Sequence, residues 1–255
     1  MLLKKPERLV KAVINIVKAE YQKTKRSMRR SFIWVFPLIT FALAFILTAG
    51  MQNVYAESVR NWWYALLLPG MLAIICHLSV MQEKKTGHYN LVTLPAGKRK
   101  LMMGKIIYMG CAVLASNMIV FAGASSGGFL LTTRVPSGGA AIAVFFLTIA
   151  QLWEIPVFLF LSERFGMITE LLVCLLLTVG GTIVAPTGKW YLFASAIPMR
   201  ILCPFLHIRP NGIPTEAGDP LLDMGVVLPG ICLSLIWFVF AAALFLYWFD
   251  KREVK

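Results

Sequence analysis

Two carboxylates, Glu154 and Glu170, fall inside otherwise apolar stretches and are the first candidates for chemistry in this chain. A charge at the centre of a membrane-crossing helix costs on the order of 3 kcal/mol by insertion scales, so such a residue needs a function or a firm partner. Glu154 lies in Gln151-Leu152-Trp153-Glu154-Ile155-Pro156, where Pro156, lacking an N–H, should free backbone carbonyls nearby. Two roles are open to it. With Trp153 beside it, Glu154 lines a substrate path or meets a partner, or it hydrogen-bonds a neighbouring helix. Glu170 is expected near a helix end, where its carboxylate can snorkel to the headgroups.

The remaining reactive residues are scattered. Cys76, Cys111, Cys174, Cys203 and Cys232 form no CxxC pair, and His77, His88 and His207 have no HxxxH or HExxH spacing, so neither a disulfide framework nor a metal site is indicated. No paired Asp, and no Ser with an evident base, supports an intramembrane enzyme. A phosphate loop needs GxxxxGK followed by Ser or Thr, but Gly97-Lys98 precedes Arg99 and Gly188-Lys189 precedes Trp190. No cofactor is expected in this chain. If ATP drives it, ATP and magnesium belong to a separate polypeptide.

The elements that carry these residues are set by hydropathy. Hydrophobic residues make up 58% of the 255 and charged residues 15%, with a mean hydropathy of +0.74, so lipid must solvate most of the surface. Runs near twenty residues long cover Ser31 to Ala49, Trp62 to Met81, Ile106 to Phe129, Ala140 to Leu161, Met167 to Val184 and Gly225 to Trp248. They lack the alternation of a membrane barrel, so the fold class is an all-α membrane protein with six transmembrane helices. Of the 25 Lys and Arg, all but Arg60, Arg134, Lys189, Arg200 and Arg209 fall on one side if both termini are cytoplasmic. The net charge of +13 is thereby explained by topology and anionic lipid, without nucleic acid.

Residues 1–30 form a basic leader too long for a secretory signal, even with the small-residue site Val54-Tyr55-Ala56 further on. Val10, Val13, Ile14, Val17 and Tyr21 recur at helical steps, which predicts an amphipathic helix lying in the headgroup plane, with Pro6 near its start. The most specific segment is the loop 82–105, QEKKTGHYNLVTLPAGKRKLMMGK. Glu83 leaves span two, Gly87 permits a turn, and Tyr89, Leu91, Val92 and Leu94 offer an apolar patch. Pro95 ends that patch, and Lys98, Arg99, Lys100 and Lys105 return to the membrane. Exposed aromatic and aliphatic residues on a cytoplasmic loop suit a protein partner.

Glu83, Gly87, Tyr89, Leu94, Pro95, Arg99, Gly104 and Lys105 follow the order of the first cytoplasmic loop of ABC-2 type permeases, which the chain resembles over its whole length in topology. The resemblance implies that this loop is a coupling helix docking on an ABC ATPase dimer, and that the leader is a connecting helix. A narrower similarity, to permeases of lantibiotic-immunity transporters, is carried by Asn61-Trp62-Trp63-Tyr64, Leu68-Pro69-Gly70-Met71 and the EKK…LPAGKRK loop. It implies a second, non-identical permease subunit, a cationic antimicrobial peptide as cargo, and a bacterial plasma-membrane location. Other cargo classes (drug, lipid or glycan) remain open under the broader resemblance. An enzyme or a non-transporting sensor is the alternative outside it.

Two domains follow: the connecting helix over 1–30 and a permease domain over 31–255. Between spans five and six, residues 185–224 are long for a connector. Trp190 to Phe205 is apolar but broken by Pro198, Arg200 and Pro204, which fits a re-entrant piece buried against the bundle. Glu216, Asp219 and Asp223 follow, as an acidic rim for a cationic peptide or as merely solvated charges. Gly123 and Gly127 in span three should let another helix approach closely, and Pro69-Gly70 and Pro229-Gly230 should bend spans two and six.

Overall fold

The computed structural model describes residues 5–25, 27–48, 54–86, 97–130 and 137–251. It contains α1 (Lys5–Thr24), α2 (Met28–Thr48), α3 (Tyr55–Trp62) continued by a π-helical turn (Trp63–Leu67) into α4 (Leu68–Lys85), and α5 (Lys98–Leu130). After these come α6 (Ser137–Gln151), α7 (Glu154–Arg164), α8 (Met167–Val184), α9 (Ala196–Leu206) and α10 (Val227–Lys251).

Six helical segments are long and apolar enough to cross a membrane: Met28–Thr48, Tyr55–Lys85, Lys98–Ser126, Ala141–Arg164, Met167–Val184 and Met224–Lys251. The all-α membrane fold and its six spans match the reading of the sequence. Spans two, three and four have 56%, 50% and 61% of their apolar windows buried, against 22% for spans one, five and six, so the former build the core and the latter its wall.

Span two begins well before the expected Trp62. Tyr55–Trp62 is already helical, and Arg60, expected in an outer loop, is buried within it. Glu57 and Arg60, one turn apart, read as loop residues because two charges lower the local hydropathy, yet as helical neighbours they offset one another. The π turn lies just before Pro69. That proline offers no N–H to the carbonyl of Ala65, and the wider turn takes up the mismatch without ending the span.

Span four is two helices. The chain turns at Leu152 and Trp153, where Ile155 N–H donates to Leu152 O at 3.2 Å, three residues back rather than four. Leu152 is also the carbonyl four residues before Pro156, so the proline accounts for the break. The expected freeing of carbonyls takes the form of a complete interruption, with Glu154 opening the second half.

The segment between spans five and six folds as a 3-10 turn (Trp190–Leu192) and then α9. Nearly every residue from Ala196 to Leu206 is buried. Three surrounding spans present glycine to it. A side chain at Gly139 would press on the Phe205 carbonyl, one at Gly181 on the Ser195 carbonyl, and one at Gly230 on Ile201. The short helix therefore sits inside the bundle, as a buried non-crossing segment must. Gly123 likewise receives the Phe41 ring from span one, while what surrounds Gly127 lies outside the described residues.

Candidate coupling base and buried polar sites

At the end of the bundle where α1 lies, one carboxylate gathers three elements. Glu83 Oε1, in the last turn of α4, is 3.2 Å from Lys105 Nζ of span three and 3.2 Å from Lys23 Nζ of α1. The Glu83 and Lys105 side chains are 8% and 3% exposed, so this is an interior ion pair, and Lys23 is also held by Glu20 at 2.7 Å. Burial alone would lower the Lys23 ammonium, but Glu20 and Glu83 outweigh it and hold the pKa above the ordinary 10.5.

Around this centre, Thr24 Oγ1 and Tyr108 OH share a hydrogen bond of 2.7 Å, and the buried Arg29 guanidinium donates to Gln82 Oε1. Gly104 is where α1 crosses span three, because a side chain there would run into Ile16. The described face of α1 turned to the bundle thus mixes apolar Ile16 and Val17 with polar Glu20 and Thr24. Ile14 and Tyr21, from the expected apolar stripe, remain exposed beside it, which suits a helix that meets lipid with one side and protein with another.

Two further contacts tie this base to the other spans. Lys84 Nζ donates to the Glu163 carbonyl at 3.0 Å, and Arg99 Nη2 at the start of span three is 3.0 Å from Asp250 Oδ2 at the end of span six. Gly97, with φ of 71°, makes the left-handed entry into span three that other residues adopt only under strain.

Of the expected coupling residues, Glu83 and Lys105 are brought together as each other's partners, and Arg99 is exposed at the same end. Gly87, Tyr89, Leu91, Leu94 and Pro95 lie outside the described residues. Glu83 and Lys105 are therefore buried where spans two and three meet.

The membrane interior holds three polar groupings. Trp63 Nε1 donates to Asn117 Oδ1 at 2.8 Å, and Asn117 Nδ2 donates to Thr148 Oγ1 at 2.9 Å, which joins spans two, three and four through buried hydrogen bonds. Glu154 is 3% exposed with its Oε2 unpartnered among the described residues, and with Glu170 it lies within electrostatic reach of the buried thiols Cys76 and Cys174. Glu154 faces the bundle. Trp153 lines a groove between spans four and six.

The third grouping corrects one expectation. Glu170 does not snorkel: it is 1% exposed, with Oε2 3.7 Å from His77 Nδ1. The same nitrogen lies 2.8 Å from Ser162 Oγ. The trio has the residue types of a hydrolytic triad, but a relay requires the serine and the acid on opposite ring nitrogens, whereas here both approach Nδ1. It is a polar bridge between spans two, four and five. No set of three or more His, Cys, Asp or Glu among the described residues is placed to hold a metal.

On the other side of the bundle, Arg60 is buried with Nε and Nη2 unpartnered among the described residues. Arg200, also buried, donates to the carbonyls of Leu221 (2.7 Å) and Pro220 (3.0 Å). The acidic rim is largely spoken for. Asp219 accepts from Leu221 N and pairs with Arg209 at 2.8 Å, and Asp223 accepts from Gly225 N at 2.7 Å. The Leu221 N–H, aided by Arg209, holds the Asp219 carboxyl below its ordinary range. Glu216 alone of the three is left exposed without such a role.

A family model described as ABC-2 family transporter protein matches residues 16–181, from within α1 to near the end of span five. No curated protein matches the chain.

Proposed function

Since the chain belongs to the ABC-2 family of transporter proteins, we propose that it is the membrane subunit of an exporter powered by a separate ABC ATPase dimer, with ATP and magnesium held there. The loop 82–105 docks on that ATPase, and α1 is the connecting helix. Carrying this reading is the Glu83 centre, which joins the leader, span two and span three directly under the loop. A push on the loop is then delivered to three elements at once, and through Lys84 and Arg99 to spans four and six. Both termini are cytoplasmic in this reading, in a bacterial plasma membrane, as the Lys and Arg asymmetry supports.

The cargo we propose is a cationic antimicrobial peptide, taken up with the help of a second, non-identical permease and expelled to give immunity. Its support is the sequence similarity of the loop and of the span-two entry. Glu154, buried in span four with Oε2 unpartnered among the described residues, is the carboxylate this reading turns toward the cargo.

The test is purification of the tagged chain from its native membrane, with photo-crosslinkers at Tyr89 and Leu94. The expected result is a nucleotide-hydrolysing subunit crosslinked at both positions, its turnover raised by cationic peptide. Crosslinks that never reach an ATPase would overturn the exporter reading. An ATPase unmoved by peptide would overturn the cargo alone.

A further inference from the structure

Along the outside of the bundle, the second half of span four and the last half of span six leave a groove of about 390 Å³ between them. Its walls are Trp153, Val157 and Phe160 on one side and Trp237, Leu244 and Trp248 on the other, almost wholly apolar. Phe160 and Trp248 meet edge to face at 4.9 Å and close its inner side. From Trp237 to Trp248 the helix rises about 16 Å, roughly half of a ~30 Å hydrocarbon core and so the depth of one leaflet.

Trp248 also lines a second hollow at the end of this groove. That hollow is polar, and its other walls are Glu163, Arg164 and Lys251. The Glu163 carboxylate is 3.9 Å from Lys84 Nζ, and nearby Asp250 is paired with Arg99, so the negative charges at this mouth already have cations. Arg164 and Lys251 are exposed, and Lys251 lies over the Tyr247 ring at 4.4 Å. An apolar, leaflet-deep slot under two cations at the headgroup level has the shape and charge order of one lipid molecule.

We propose that this is a binding site for an anionic phospholipid of the leaflet on the α1 side, with its phosphate on Arg164 and Lys251 and an acyl chain along the aromatic groove. The cations at the mouth repel a cationic peptide, which sets the site apart from any cargo path. The lipid bridges spans four and six where Arg99–Asp250 joins three to six.

The experiment is native mass spectrometry of the full chain in detergent with phosphatidylglycerol or phosphatidylcholine of identical acyl chains. One phosphatidylglycerol should be retained per chain with a preference of about 30-fold, as two cations near an anionic headgroup give. R164Q/K251Q should bring the two lipids to parity, and Ala241→Trp, which fills the groove, should release both. Equal retention of the two lipids by the parent chain, or an unchanged preference in R164Q/K251Q, overturns the site. So does full displacement by millimolar inorganic phosphate, which would make it a phosphate site, or a disulfide between two copies of Ala241→Cys, which would make the groove a contact between chains. If Ala241→Trp does not fold, the paired surface variant still decides.

Discussion

Replacing Glu83 with Gln isolates the charge at the base of the bundle while keeping the shape of the side chain. Lys105 Nζ is then left 3% exposed with its counter-charge gone, whereas Lys23 retains Glu20 at 2.7 Å. Breaking a buried pair from one side costs about 3–5 kcal/mol, and because Gln still offers an acceptor oxygen we expect about 3 kcal/mol, a factor above 100 in the folding equilibrium. Lys23→Met should cost no more than about 1 kcal/mol, since that ammonium is 25% exposed and partly screened. In a Lys105→Met background the Glu83→Gln cost should shrink to under about 1 kcal/mol, because no ammonium is stranded. Reversible unfolding in mixed micelles gives these energies, and hydrogen exchange of the α1 amides reports whether the leader lifts away. A Glu83→Gln chain as stable as the parent, or one destabilised equally with and without Lys105, would refute the argument that this carboxylate holds the base together.

Two other outcomes follow from single contacts. Asn117→Leu removes two interhelical hydrogen bonds at about 0.6 kcal/mol each and strands the Trp63 indole, so about 1 kcal/mol should be lost in the same unfolding assay. Asp219 has a folded pKa below its ordinary 3.8, so its stabilisation is complete above 3.8 and fades as the pH falls through the folded value. Pepsin nicking of the 209–223 segment should accelerate as the pH drops below 3.8, and Asp219→Asn should remove that pH dependence.

Hydropathy made the spans legible because a membrane helix declares itself residue by residue. It failed at Tyr55–Trp62, where Glu57 and Arg60 lower the hydropathy of residues that are nonetheless helical. Pro156 announced trouble in span four, and the sequence pointed to the right residues. What it could not supply was direction: Trp153 and Glu154 are adjacent in sequence and look into different surroundings. Glu83 and Lys105 stood out as loop residues of a familiar pattern, but that they close on one another depends on spans two and three lying side by side. His77, Ser162 and Glu170 come from three spans, and no spacing rule joins them. Likewise Asn117 carries no local mark, and only the positions of Trp63 and Thr148 give it a role. Gly104 could be flagged from sequence order, while the reason for it, Ile16 lying against the helix, is tertiary.

The docking of α1 also sets an order of events during synthesis. Thr24 waits for Tyr108, 84 residues further along the chain, and Lys23 waits for Glu83. At about 5–20 residues per second, the ribosome needs several seconds to deliver those partners. Throughout that interval the newborn leader lacks both of those partners. Exposed Ile14 and Tyr21 give it a lodging at the lipid boundary in the meantime, and its charged side is reserved for a neighbour that has yet to be made.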